Sequence, residues 1–202
     1  SEKRESVLTN QLIRSGTSIG ANIREAFYGH GKNDFIAKLQ ISLKECSESE
    51  ALYKAEAYCS VAERCESEVR TKLQQWGAPQ ECWDTIIRQL VDGNYISSSR
   101  YVYAFVREKH RFNKWGKQKI VQALRMKRLP DALINEAMEE MDKEEYLANL
   151  SSLLQRKMKE IKARNDYERN GKLIRFALGR GFEMNDILSC LKQIGCGDEY
   201  ME

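Results

Sequence analysis

Apolar residues recur every three or four positions along almost the whole chain, and the strict alternation that marks a half-buried strand is missing. That pattern predicts an all-α protein. The few breakers fall between periodic runs, at Gly29 and Gly31, Gly77 to Pro79, Gly93, Gly116, Pro130, Gly179 and Gly181, where helices are expected to end.

An internal repeat organises most of this pattern. Laid over one another, residues 67–90, 117–141 and 171–194 carry an apolar residue at each matched position. Val69, Ile120 and Leu173 correspond, as do Leu73, Leu124 and Ala177, then Ala78, Leu129 and Phe182. Further on come Trp83, Ile134 and Ile187, then Ile86, Ala137 and Cys190, then Ile87, Met138 and Leu191, and last Leu90, Met141 and Ile194. Each copy reads as helix, short break, helix, with one more helix upstream: around Tyr58 to Cys65, across 99–112 with Tyr101, Phe105 and Phe112 in helical register, and across 141–163. Three tandem three-helix repeats follow, at about 57–96, 97–141 and 142–195, with 196–202 as a tail. Units of this kind cannot bury their apolar faces alone, so the expected form is a short, elongated, curved solenoid with a long groove.

Residues 1–56 lie outside the repeat and read as a helical hairpin. Its first helix has Leu8, Leu12, Ile19 and Ile23 apolar, with Ser15, Gly16, Ser18, Gly20 and Ala21 small. Its second starts near Asn33, with Phe35, Leu39, Ile41 or Leu43, and Cys46 expected to face inward. Small residues along one stripe permit close helix packing. Two helices are a marginal fold, so the hairpin should dock on something: another copy of itself, or the first repeat, into which its second helix could run directly.

Composition narrows the functional classes. The chain is 42% hydrophobic and 31% charged with two prolines, ordinary for a globular helical protein. No stretch reaches the roughly 18 to 20 apolar residues of a membrane span, and the first residues lack the apolar core of a secretory signal, so a cytoplasmic chain without membrane contact is expected. None of the six cysteines forms a Cys-x-x-Cys pair, and His30 and His110 are the only histidines. Buried free thiols are expected, with no metal and no cofactor. Gly16 and Gly20 lack the Gly-Lys-Ser/Thr ending of a phosphate loop, and Glu139 with Glu140 reads as solvated helix surface. No nucleophile has a base beside it, so no catalytic residue is assigned and no enzyme is expected.

Charge is segregated. Residues 100–129 hold ten lysines or arginines against Glu108 alone, residues 131–145 hold seven acids against Lys143, and residues 156–180 hold nine bases against three acids. Basic blocks on such a chain suit an anionic partner, or else pair with the acidic block as solvated helix faces. The candidate surface is Arg107, Lys109, Arg111, Lys114, Lys117, Lys119, Arg125, Lys127 and Arg128, interleaved with Phe112 and Trp115. Arg156, Lys157, Lys159, Lys162 and Arg164, then Arg175 and Arg180, would extend it. Cations with aromatics can neutralise phosphate and stack on unpaired bases; Trp115 could equally anchor helix packing.

Two stretches resemble known families. From about Ala57 to Ile194 the chain is similar to RecX, a family of recombination regulators. The resemblance rests on AYCSVAERCESEVRTKL, on RYVYAFVREKHRFNKWGKQKIVQALRMKRLPDALINEAMEEMD and on NGKLIRFALGRGFEMNDILSCL. It implies three tandem three-helix repeats and binding in the groove of RecA filaments on single-stranded DNA, with recombinase and coprotease activities suppressed and no catalysis. Within residues 1–56, Arg14, Ser15, Ser18, Ile19, Asn22 and Ile23 carry a run resembling the four-helix-bundle proteins of ribosomal-RNA intervening sequences. The family's Glu-Gly after Asn-Ile is Glu25-Ala26 here, and only the middle of that bundle is matched. The resemblance also leaves a second functional expectation: a helical module binding RNA or single-stranded DNA, tied to the hairpin.

Overall fold

A computed structural model describes residues 2–28 and 32–194 and gives ten α-helices among them. They are α1 (Glu2–Tyr28), α2 (Lys32–Val61), α3 (Glu66–Gln75), α4 (Trp83–Asp92), α5 (Ser98–Arg111), α6 (Lys117–Met126), α7 (Asp131–Glu139), α8 (Lys143–Glu160), α9 (Asp166–Gly179) and α10 (Met184–Gln193). No strand occurs among the described residues. The chain divides into two compact units between Ser97 and Ser98.

The last nine helices form three triplets: the C-terminal part of α2 with α3 and α4, then α5 with α6 and α7, then α8 with α9 and α10. Side chains of the starting residues fix several helix ends. Asp142 accepts from the amides of Glu144 (2.8 Å) and Glu145 (3.2 Å), and Asn165 from that of Glu168 (2.8 Å). The matched apolar positions become the cores. Val69, Ile120 and Leu173 are buried on the middle helices, as are Leu73, Leu124 and Ala177 one turn on. Ile86, Ala137 and Cys190 are buried on the third helices. The turn between middle and third helix is the same in all three. Gly77, Arg128 and Gly181 adopt positive φ (71°, 60° and 87°). The following amides then reach back to the helix: Ala78 to the Leu73 carbonyl (3.0 Å), Leu129 to Leu124 (3.4 Å) and Phe182 to Ala177 (3.2 Å). This is the Schellman closure, and it costs a side-chain-bearing residue such as Arg128 steric strain that glycine escapes.

The hairpin departs from expectation in two ways. First, α2 passes through position 56 without a break, so one helix serves both hairpin and first triplet; Ala51, Leu52, Ala55 and Cys59 on its second half enter the first triplet's core. Second, the seam between α1 and α2 is small and polar. Ala26 and Ser42 are buried there, Ser18 and Asn22 donate to Glu45 (2.9 and 3.3 Å), and Lys38 pairs with Glu25 (2.5 Å). Leu39, Ile41, Leu43 and Cys46, expected to face inward, are exposed, and only Phe35 of that set is half-buried. Among the described residues the contact is made by small and polar side chains and by Phe27 edge-on to Phe35 (6.0 Å), and those α2 leucines fall on the outward faces. The side chains of Leu8, Leu12 and Ser15, together with Gly29 to Gly31 and the tail from 196, lie outside the described residues.

Within the second unit, triplets two and three are joined backbone to backbone. The amide of Gly116 donates to the Arg180 carbonyl (2.8 Å) and that of Gln118 to the Gly181 carbonyl (3.0 Å). A Cβ on Gly116 would lie 2.2 Å from Gly181 backbone atoms. Beside this seam a buried polar group has formed. The His110 ring stacks on Tyr146 (5.7 Å between centroids) with its Nε2 2.9 Å from the Asn149 amide nitrogen, and Lys114 donates to Asn149. Burial holds the His110 imidazole below its ordinary pKa.

Candidate interaction surface

The predicted basic residues do not form one stripe; the folds of α5, α6 and the connecting turn distribute them. On one face, Lys109 of α5, Lys119 of α6 and Lys127 at the end of α6 converge on an aromatic row. Tyr101 and Phe105 stack (5.9 Å), and Phe105 meets Trp115 edge-on (6.5 Å). Lys109 lies 5.1 Å from the Phe105 centroid and 5.7 Å from that of Trp115, Lys119 lies 4.7 Å from Trp115, and Lys127 lies 5.7 Å from Tyr101. These distances suit cation–π attraction. Trp115 is half-buried, whereas Phe112 is 80% exposed.

The other half of α6 turns elsewhere. Lys117 lies over Tyr146 (5.3 Å), and with Arg125, Val121, Met126 and Glu183 it borders a cleft of about 560 Å³. Arg125 is paired with Asp131 (2.8 Å), and Arg111 with Glu145 (3.2 Å). Lys114 is committed to Asn149. Arg107 and Arg128 are exposed and make no ion pair with a described residue. In the third triplet, Arg180 and Lys157 both lie 5.5 Å from the Phe176 centroid, and Lys157 also pairs with Glu160 (2.9 Å). Arg180 donates to the Asn113 carbonyl (3.1 Å), Arg175 to the Gly171 carbonyl (3.2 Å), and Arg156 is exposed. Sequence reasoning overlooked the counterpart in the first triplet. There Arg64 lies 4.3 Å and Lys72 5.7 Å from the Tyr58 ring, which meets Trp76 edge-on at 6.2 Å. The repeat register contained a signal for it, since Trp76, Lys127 and Arg180 all cap the C-terminus of a middle helix.

No group of three or more metal-ligating side chains gathers among the described residues, and no described helix is long and apolar enough to cross a membrane.

Comparison with known proteins agrees with this architecture. Residues 99–138 match the second three-helix domain of RecX and residues 144–191 the third. Residues 1–76 match the 23S rRNA-intervening sequence protein family, a stretch that runs past the hairpin through α3. The regulatory protein RecX of Clostridium acetobutylicum is 27% identical over 201 residues, covering 96% of this chain and 92% of that protein. The RecX of Vibrio parahaemolyticus is 31% identical over 121 residues, covering 59% and 76%. Among solved structures, a regulatory protein RecX superposes with a TM-score of 0.68 at 20% identity, over 83% of this chain and 80% of its own. RecX from Lactobacillus salivarius gives 0.62 at 20% identity, over 74% and 97%.

Proposed function

Since the chain belongs to the RecX family of regulatory proteins, we propose that it binds RecA filaments assembled on single-stranded DNA and restrains recombinase and coprotease activity without performing chemistry. The observation that carries this reading is the cluster of Lys109, Lys119 and Lys127 on the Tyr101–Phe105–Trp115 row. Rings seat these amines in defined positions. Lys119, which makes no ion pair with a described residue, keeps its charge available to an external anion. A nucleoprotein filament offers such anions at a regular spacing, and attraction to them speeds encounter. Occupying the filament groove would exclude the second DNA strand and protein clients by volume alone. Arg107, Arg111, Lys114, Lys117, Arg125, Arg128, Arg156, Lys157, Arg175 and Arg180 belong to this proposal as flanking contacts. The cytoplasm is the compartment it requires.

The test is titration of the chain into RecA hydrolysing ATP on single-stranded DNA. Inhibition near one chain per few protomers is expected, and reversing Arg107, Lys109 and Arg111 to glutamate should weaken it by roughly tenfold or more and flatten its salt dependence. Absence of inhibition at stoichiometric protein, with tight binding to bare RNA instead, would favour the hairpin-linked nucleic-acid module.

A further inference from the structure

The three cation–aromatic clusters occupy one place in the repeat. Each sits where the first helix of a triplet meets the middle one, and in each the residue capping the middle helix takes part: Trp76 against Tyr58, Lys127 against Tyr101, Arg180 against Phe176. Which position supplies the ring and which the cation changes from triplet to triplet, yet the pairing persists. A core contact would conserve shape; this arrangement conserves a positive charge on a ring. Carboxylates reach only some of these cations: Lys109 pairs with Glu108 (2.7 Å) and Lys157 with Glu160 (2.9 Å). Arg64, Lys72, Lys119 and Arg180 make no ion pair with a described residue, although acids are plentiful in the chain. Lys72 donates to Gln75 (3.0 Å) and Arg180 to a backbone carbonyl, both neutral acceptors. A ring holds a cation in place without neutralising it, which a carboxylate cannot do. Tyr101 is buried and the other rings are half-buried, and all are already loaded, so they serve the cations more than they offer platforms to bases.

We propose that each triplet carries one phosphate-binding module at this position, and that the first triplet's module is Arg64 and Lys72 seated on Tyr58. The occupant is the phosphate backbone of single-stranded DNA, without base preference; assigning that strand to a filament rests on the reading above, whereas the module itself does not. The lysine-rich set favours phosphate, because a lysine is a point charge that suits oxygens presented at varying angles, while planar carboxylates are matched best by the arginine fork.

The probe is a labelled oligothymidylate, bound to the full chain with no recombinase present and followed by anisotropy from about 50 to about 200 mM salt. Each lost phosphate contact should reduce the slope of log affinity against log salt by about 0.7. Arg64→Gln with Lys72→Gln should therefore flatten the slope by about 1.4, and Lys119→Gln by about 0.7. Lys72→Gln alone, at a half-exposed site, covers the case in which the double variant misfolds. The pair Lys143→Gln and Lys192→Gln removes equal charge from exposed positions outside the modules and should leave the slope unchanged. An unchanged slope for the Arg64 and Lys72 variants, or an equal fall for the control pair, would overturn the proposal. So would loss of RecA inhibition with oligonucleotide binding intact, which would mean the module meets an acidic protein surface. A flattened slope without any RecA inhibition would uphold the module and sink the filament reading alone.

Discussion

The hairpin and the triplets obey opposite packing rules within one chain. In the triplets, leucine and isoleucine fill the seams between helices and polar residues face out. In the hairpin, among the described side chains, serine, asparagine, glutamate and alanine take up the seam, Phe27 meets Phe35 edge-on (6.0 Å) yet stays 74% exposed, and Leu43 (70%) faces out. Burying apolar surface is the main source of folding free energy, at about 25 cal/mol per Å². The triplets therefore carry most of the stability, and among the described residues α1 holds to α2 through a few polar bonds and one edge-on ring contact, Phe27 with Phe35 (6.0 Å), each individually weak.

The widest separation between the two regions should come from truncating core side chains. Ile120→Ala and Leu173→Ala should each cost between about 2 and 5 kcal/mol in urea unfolding, whereas Leu43→Ala should stay within about 0.5 kcal/mol. Comparable losses at Leu43 would show that its face is covered in solution. Next in size is Gly116→Ala. With Gly181 backbone 2.2 Å from the new methyl, the seam between triplets two and three must open, at about 3 kcal/mol or more, and hydrogen exchange should quicken at Gly116 and Gln118.

A smaller effect is set by acid. The folded protein resists protonating His110, whose Nδ1 has no hydrogen-bond partner among the described residues, while the unfolded chain takes the proton at the ordinary imidazole value. Stability is thus complete above about pH 6.5 and declines as pH falls through that value toward the lower folded one, by no more than about 1.4 kcal/mol per pH unit. A His110→Gln variant should lose this dependence, whatever its stability at neutral pH. The smallest change is a gain. Arg128→Gly places glycine where the other two triplets already have it, and should add about 1 kcal/mol, read as a raised denaturation midpoint at constant slope.

How far the sequence foretold this follows the same divide. The triplet cores were legible because apolar periodicity reports burial directly, down to matched positions such as Val69, Ile120 and Leu173. The hairpin misled because its exposed leucines share the spacing of core leucines; only their packing partners tell them apart. The continuity of α2 was visible only as an absence of breakers around Glu56. The contact of Gly116 with Gly181 joins residues far apart in sequence, so each glycine alone read as a helix end. The basic run from Arg107 to Arg128 was correctly seen as charged, but α6 sends Lys119 and Lys117 to different neighbours, which no count of charges discloses.

The division of labour between the regions is open to one direct measurement: hydrogen exchange along the full chain, with and without RecA filaments on single-stranded DNA. The account predicts slowed exchange at the ends of the middle helices, around Lys72 to Trp76, Lys119 to Lys127 and Phe176 to Arg180, with α1 unchanged. Protection confined to α1 and the first half of α2, with those three segments unaffected, would contradict it.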